Sequence, residues 1–224
     1  MLPAALVMGG KDLRLILGQG SGYAQSILLG LVLIFVFSLA LQPGERMTAQ
    51  AAATVFWMSS AFCQAILFSA LYAHEEFNDQ RQGLILAPAP PQGIWLGKAL
   101  AGACLLFSAQ MAFLPASVVL LGQNAGSSWR LGLGALALTD LGMAVLGSLL
   151  GALARSATRG AFLGILLFPL QIPLFLAGIS LGAAAFSAGP PPDPSAWFGL
   201  LLAFDSIFLA AGLLIFPHIY TGDA

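Results

Sequence analysis

The chain of 224 residues has little charge: only 8% of its residues are Asp, Glu, Lys or Arg, whereas 59% are hydrophobic. A soluble domain carries about a quarter charged residues, because its surface meets water. Eight Lys or Arg and nine Asp or Glu cannot cover a soluble body of this size. Most of the surface is therefore expected to face lipid, and the net charge of −1 offers no basic field for nucleic acid.

Sequence motifs of enzyme chemistry are also lacking. There is no GxxxxGK[ST] phosphate loop, and the GxxxGKA run at residues 93–99 has the wrong spacing and no hydroxyl after the lysine. No HExxH, GxSxG or Cys/His ligand cluster occurs, and the two cysteines, Cys63 and Cys104, lie inside apolar runs without CxxC spacing. We therefore expect neither an enzyme nor a metal or disulfide site, and energy from ATP must come from another subunit.

What the chain does have is long apolar runs, and six of them could cross a hydrocarbon core of ~30 Å at ~1.5 Å per residue. They lie at about 23–41, 51–73, 94–121, 131–154, 161–185 and 196–217. Before them, Leu6, Leu13 and Leu17 recur at helical spacing and predict a short helix in the membrane interface. A signal peptide would have its basic residues before the apolar run, which is the opposite order. The predicted fold is an all-α integral membrane protein with six transmembrane helices in one transmembrane domain.

The basic residues predict the orientation of these spans. With the N-terminus inside, six of them lie on or near the cytoplasmic side and two outside, which satisfies the positive-inside bias. The six are Lys11, Arg14, Arg81, Lys98, Arg155 and Arg159, and the two are Arg46 and Arg130. Because the number of spans is even, both termini are expected to be cytoplasmic.

Several polar residues and prolines lie inside the predicted spans. Asp140 and Asp205 fall near the middle of spans four and six. An ionised Asp at a helix centre costs about 2.5–3.5 kcal/mol, so each should face protein or water and have a partner. In span five, Pro169, Gln171 and Pro173 predict a bend with an amide side chain at mid-depth, either as a structural kink or as a lining of a transport path.

The longest polar segment, residues 74–92, lies between spans two and three on the predicted cytoplasmic side. If it is helical, Glu75 and Asp79 share one face and Gly83 ends the helix. The segment predicts a docking site for a cytoplasmic partner, with a solvated connector as the alternative. The predicted docking residues are Glu75, Glu76, Phe77, Asp79, Arg81, Gly83 and Pro88.

Short motifs follow one another along the chain in a fixed order. They are Lys-Asp-Leu-Arg at 11–14, Trp57, Glu75, the Gly-Leu-Ile-Leu-Ala-Pro run at 83–88, Gly97-Lys98, residues 152–155 with Arg159, the proline element at 168–173, and residues 203–205 leading to 212–217. In this order and spacing the sequence resembles the CcmB family, the heme exporter protein B permeases of bacterial cytochrome c maturation. It departs from the family's loop pattern at Phe77, Asp79 and residues 81–82, which alters the expected docking surface.

The resemblance implies an ABC-2-type permease subunit in the bacterial inner membrane, energised by a separate ATPase subunit, CcmA, that binds ATP and Mg²⁺. It also implies CcmC and CcmD as partners and a functional link to the heme chaperone CcmE, through heme export or through release of heme-loaded CcmE. Heme is then expected in the complex, and we assign no cofactor to this chain. His74 and His218 are expected to be interfacial residues at helix ends rather than axial heme ligands.

Three alternatives stay open. A permease of the same architecture could export another lipid, drug or polysaccharide. A non-transporting scaffold could hold heme-handling proteins together, and an ion-coupled secondary transporter could use Asp140 and Asp205. Asp205 matches the family's pattern, and it serves either as a buried structural hydrogen-bonding group or in coupling.

The predicted topology is tested by single cysteines in a background that lacks Cys63 and Cys104. In intact cells, cysteines at Asn78 and Ser156 should be shielded from an impermeant thiol reagent, and cysteines at Gln123 and Asp193 should be labelled. Labelling at position 78 but not at position 193 would show that the orientation is inverted.

Overall fold

Seven α-helices make up most of the described chain. The computed structural model describes residues 1–76, 89–124, 126, 128–153, 166–187 and 193–221, without the side chains of residues 19, 21, 74–76, 220 and 221. The helices are α1 (Leu2–Gln19), α2 (Ser21–Leu39), α3 (Ala49–Glu76), α4 (Pro91–Leu120), α5 (Trp129–Leu153), α6 (Ile172–Phe186) and α7 (Pro194–Thr221). Residues 166–170 are also helical and precede α6.

The all-α membrane fold predicted from the sequence is confirmed. Helices α2, α3, α4, α5 and α7 are long and apolar enough to cross a membrane. The predicted fifth span, 161–185, overlaps residues 166–170 and the shorter apolar helix α6, and residues 161–165 lie outside the described residues. Helices suit a lipid environment because each one satisfies its own backbone hydrogen bonds.

Two connections between helices lie with the ends of α4 and α6 at one end of the bundle, which we call the connector end. The connection before α3 bonds to the end of α4, from Met47 N to Leu121 O at 3.2 Å and from Gln123 Nε2 to Met47 O at 2.7 Å. The connection before α5 reaches the end of α6, with Gly126 N donating to Ala185 O at 2.7 Å. The opposite end, where α3 finishes and α4 begins, is the docking end. The spans therefore alternate in direction.

The centre of the bundle is formed by α3 and α5, in which 67% and 72% of the spanning residues are buried, against 22% in α7. Aromatic rings on one helix lie against glycines on the next. The ring of Phe68 occupies the space where side chains of Gly102 and Gly147 would stand, and the ring of Trp95 does the same at Gly212. The glycines therefore let the helices approach closely, as small residues do in membrane bundles.

The N-terminal helix is longer than the sequence predicts. It runs through Gly9, Gly10 and Gly18, although glycine is a poor helix former, because α1 packs along α4. It ends at Gly20, whose φ of 62° lies in the left-handed region that favours glycine, and α2 begins at the next residue. Among the described helices, α1 is not one that could cross a membrane by length and composition.

Two of the three leucines that predict the interfacial helix lie on the exposed face of α1, and Leu13 is partly buried against the core. Leu6 and Leu17 are exposed, whereas Ala5, Asp12 and Ile16 are buried. At the contact with α4, a side chain at Gly97 would stand 2.7 Å from Met8 Cβ and 2.8 Å from Ala5 O. The backbones of α1 and α4 therefore approach closely here, where Gly9 and Gly97 face each other.

Candidate functional site

A buried lysine joins three helices at the docking end. Lys98, in the third turn of α4, is 1% exposed. Its Nζ donates to Asp12 Oδ2 of α1 at 3.3 Å and to Leu71 O of α3 at 3.0 Å, and it lies 4.8 Å from the centre of the Tyr72 ring. We call these four residues the lysine junction.

The lysine junction satisfies a charge that would otherwise be costly to bury. A buried ammonium loses its hydration, and only an opposite charge with further acceptors offsets that loss. Asp12 supplies the charge, the Leu71 carbonyl accepts a hydrogen bond, and the Tyr72 ring adds an electrostatic contact of about 0.5–2 kcal/mol. Lys11 Nζ also lies 3.2 Å from Asp12 Oδ1, but its side chain is 35% exposed. The Lys98 pair is thus the buried contact and the Lys11 pair the exposed one.

Further contacts extend the lysine junction to α5 and α7. Tyr72 Oη and Ser148 Oγ of α5 are 2.9 Å apart, and Ser148 Oγ donates to Trp95 O at 3.4 Å. The Trp95 ring lies 6.5 Å from the ring of Phe216 on α7, measured between centroids. Five of the seven helices therefore meet at this end.

The predicted docking segment begins directly after these contacts. Leu71 and Tyr72 lie in the last two turns of α3, which ends at Glu76. Glu75 and Glu76 belong to that helix, but their side chains lie outside the described part of the structure. Phe77, Asp79, Arg81, Gly83 and Pro88 lie outside the described residues, so the docking role of the segment stays a prediction.

At mid-depth, two glutamines link three helical segments. Gln171 Nε2 donates to Gln64 Oε1 at 2.6 Å, and Gln64 Nε2 donates to Met143 O of α5 at 2.6 Å. Gln171 is fully buried and interrupts the helix between residues 166–170 and α6. Pro173 explains the interruption, since it has no N–H to donate to the carbonyl of Pro169. Whether these residues act as a hinge or line a path stays open.

The two intramembrane acids face different neighbours. Asp140 is buried beside Gln110 of α4 and Cys63 of α3. Asp205 is buried against α5 at Gly142, where a side chain would collide with it. The burial of both acids against protein is as expected. The expected partners are not found in full: among the described residues, neither carboxylate oxygen of Asp205 has a hydrogen-bond partner, and Asp140 Oδ1 has none.

The spans, the lysine junction and the buried acids can be compared with known proteins. The family model described as CcmB protein matches residues 4–219, which is nearly the whole chain. The chain belongs to the CcmB family. It is therefore a membrane permease subunit of the heme exporter system of cytochrome c biogenesis. No curated protein sequence matches the chain.

The structure brings together two motifs on which the resemblance to the CcmB family rests. Lys-Asp-Leu-Arg at 11–14 and Gly97-Lys98 are distant in sequence, and they meet through Asp12 and Lys98 and through the contact of Gly97 with α1. The sequence placed Lys98 near the membrane surface but did not predict its burial or its partner. One signal could have suggested this pairing. A lysine seven residues inside an apolar helix needs an acidic partner, and Asp12 is predicted to lie near the same depth in the membrane.

The lysine junction predicts a strong dependence of stability on the paired charges. Asp12→Leu leaves Lys98 buried without its counter-charge, and we expect a loss of about 3–5 kcal/mol in the free energy of unfolding. Joint replacement, Asp12→Leu with Lys98→Met, should recover most of that loss because no charge stays buried. The measurement is reversible unfolding of the purified protein in detergent.

The matched control is Lys11→Met, which removes the exposed pair with the same acid and should cost less than about 1 kcal/mol. If the double variant is as unstable as Asp12→Leu alone, the two charges are not coupled and the lysine junction has no electrostatic role.

A second prediction concerns Asp205. We expect Asp205→Asn to accumulate normally, because an amide has nearly the same shape without a charge to compensate. Holocytochrome yield then separates the two roles: unchanged yield indicates a structural acid, and reduced yield at normal abundance indicates that the charge acts in coupling. Ser206→Ala, which changes an exposed neighbour, is the control. Failure of the Asn variant to accumulate would contradict the expectation.

Proposed function

We propose that this chain is the transmembrane subunit of an ABC-type complex in which the ATPase CcmA docks on residues 74–92 and drives the release of heme-loaded CcmE or the export of heme. The family match over residues 4–219 is the observation that carries the proposal. The sequence supports it further, because no phosphate loop occurs in the chain and ATP must be bound, with Mg²⁺, by a partner.

The lysine junction supports the choice of docking segment. Force applied to residues 74–92 acts on the ends of α3 and α4, since these helices flank the segment. Lys98 on α4 contacts α3 at Leu71 and α1 at Asp12, so displacement of one helix end acts on all three. A connector without such contacts would move without moving the spans.

CcmC and CcmD complete the proposed complex in the inner membrane, with both termini of this chain in the cytoplasm. The six basic residues predicted on or near the cytoplasmic side support that orientation. Heme is treated as cargo of the complex. Of the two histidines, the described one, His218, is exposed on α7 and has its Nδ1 3.0 Å from Leu214 O of its own helix. That contact suits a helix-end residue, and no step is assigned to it.

The ion-coupled alternative is disfavoured by the positions of the acids. Asp140 lies towards α3 and α4, whereas Asp205 approaches α5 at Gly142 together with Leu174 of α6. Residues 140 and 142 are about 200° apart around a helix. Asp140 therefore projects from one face of α5, and Asp205 packs against a different face of α5. They do not form one site. The family match also disfavours a permease for an unrelated cargo. A non-transporting scaffold is distinguished from the proposed function by the experiment below.

The docking proposal predicts that Phe77→Ala, or Glu75→Ala, Glu76→Ala and Asp79→Ala together, uncouples the complex without unfolding the spans. A buried aromatic commonly dominates a small interface, whereas exposed charge pairs contribute only about 0.2–1 kcal/mol each. The measurements are membrane abundance, CcmA co-purification, ATP hydrolysis and holocytochrome yield in one strain. Normal abundance with reduced CcmA retention or hydrolysis, and reduced yield, would support docking.

The control is Phe107→Ala, which truncates an exposed phenylalanine in the middle of α4, away from the docking end. It should leave all four measurements unchanged. Normal CcmA retention and normal yield in both docking variants would contradict the proposal. If a docking variant abolishes ATP hydrolysis but leaves holocytochrome yield normal, the result would instead support the non-transporting scaffold.

A further inference from the structure

The outward face of α1 combines exposed apolar side chains with two basic ones. Its exposed apolar residues include Leu2, Leu6, Val7, Leu15 and Leu17. A shallow, open groove lies on this face above Gly10, and its lining residues, all of α1, are Leu6, Val7, Gly10, Lys11, Arg14 and Leu15. Lys11 and Arg14 are three residues apart, so they lie on the same side of the helix. Both cations therefore border an otherwise apolar groove.

The charges around this groove do not balance within the described residues. At the docking end, the described side chains carry three cations, Lys11, Arg14 and Lys98, and one anion, Asp12. Three positive charges and one negative charge leave +2. Asp12 contacts both lysines: its Oδ1 lies near Lys11, and its Oδ2 lies near Lys98 inside the bundle. The surplus positive charge is thus presented on the outside, at Lys11 and Arg14.

We propose that the groove on α1 binds the headgroup of an anionic phospholipid, with Lys11 and Arg14 at the phosphate and Leu6, Val7 and Leu15 against the start of the acyl chains. The chemistry of the groove matches both parts of such a molecule. A soluble anion would meet the two cations but leave the apolar walls exposed to water. A neutral lipid would cover the walls but bring no net negative charge to Lys11 and Arg14.

The site is independent of the proposed docking of an ATPase. The groove lies on the outward face of α1, whereas the lysine junction lies on its inward face, where Asp12 meets α4. Attraction of a basic segment to an anionic leaflet increases about fivefold for each Lys or Arg near the surface. The lipid would therefore hold α1 at the leaflet surface while Asp12 holds it to the bundle.

The experiment places a bimane fluorophore on Val7→Cys of the full chain, with Cys63→Ala and Cys104→Ala. The protein is reconstituted into phosphatidylcholine vesicles that contain phosphatidylglycerol. Brominated acyl chains are carried either by the phosphatidylglycerol or by an equal mole fraction of the phosphatidylcholine. We expect the brominated phosphatidylglycerol to quench the Val7 probe several-fold more strongly, whereas a probe on Ile207→Cys of α7, which is equally exposed to lipid, reports no preference.

Variants at the cations decide whether they are the recognition element. Lys11→Gln with Arg14→Gln should abolish the preference, and Lys11→Glu with Arg14→Glu should reverse it. Arg130→Gln, at the connector end, should leave it unchanged. Equal quenching by the two lipids, or a preference that persists in the double Gln variant, would overturn the proposal. So would a preference that appears only after Glu75→Gln, Glu76→Gln and Asp79→Asn, since the acidic segment would then be the natural occupant of the groove.

Discussion

A polar group buried in a lipid-embedded bundle must find its hydrogen-bonding partner within the protein, because the hydrocarbon offers none. The helices satisfy this requirement for the backbone, and several buried side chains satisfy it for each other, although Asp205 has no such partner among the described residues. Lys98 does so through Asp12 and the Leu71 carbonyl. Gln171 does so in part through Gln64, which in turn binds a backbone carbonyl of α5. These polar contacts fix which helices are neighbours, since apolar packing against lipid and against protein differ little in free energy.

The same requirement explains how much of the fold can be predicted from the sequence. A run of apolar residues as long as the bilayer is thick has few structures available to it, so the helices follow from composition alone. The interruption at Gln171 follows from Pro173, since a missing N–H is a local property. The family likewise follows from the order of short motifs along the chain, and the match over residues 4–219 confirms it.

What the sequence does not predict is how the faces of the helices are used. The leucines of α1 predict an interfacial helix but not which of its residues pack against the bundle, and the structure buries Ala5 and Asp12 and exposes Leu6. In water that arrangement would be costly, but beside lipid an exposed leucine costs little, and close packing selects small residues instead. The pairing of Asp12 with Lys98 is likewise non-local, and no spacing rule within one helix can predict it. The proposed docking residues stay predictions, as most lie outside the described residues.

The positions of the polar contacts also suggest where the bundle resists motion and where it can yield. At the docking end, the lysine junction and its extension through Ser148 connect α1, α3, α4 and α5, so relative displacement there must break charged and hydrogen-bonded contacts. At mid-depth, the helix before α6 is already interrupted, and bending at Gln171 breaks fewer backbone hydrogen bonds than bending elsewhere. If a partner docks on residues 74–92 as proposed, it would therefore act on these helix ends together, and bending near Gln171 stays a prediction. The contacts that hold the docking end together thus come from buried polar groups that have partners, whereas the carboxylate of Asp205 has none among the described residues and joins no helices in this way.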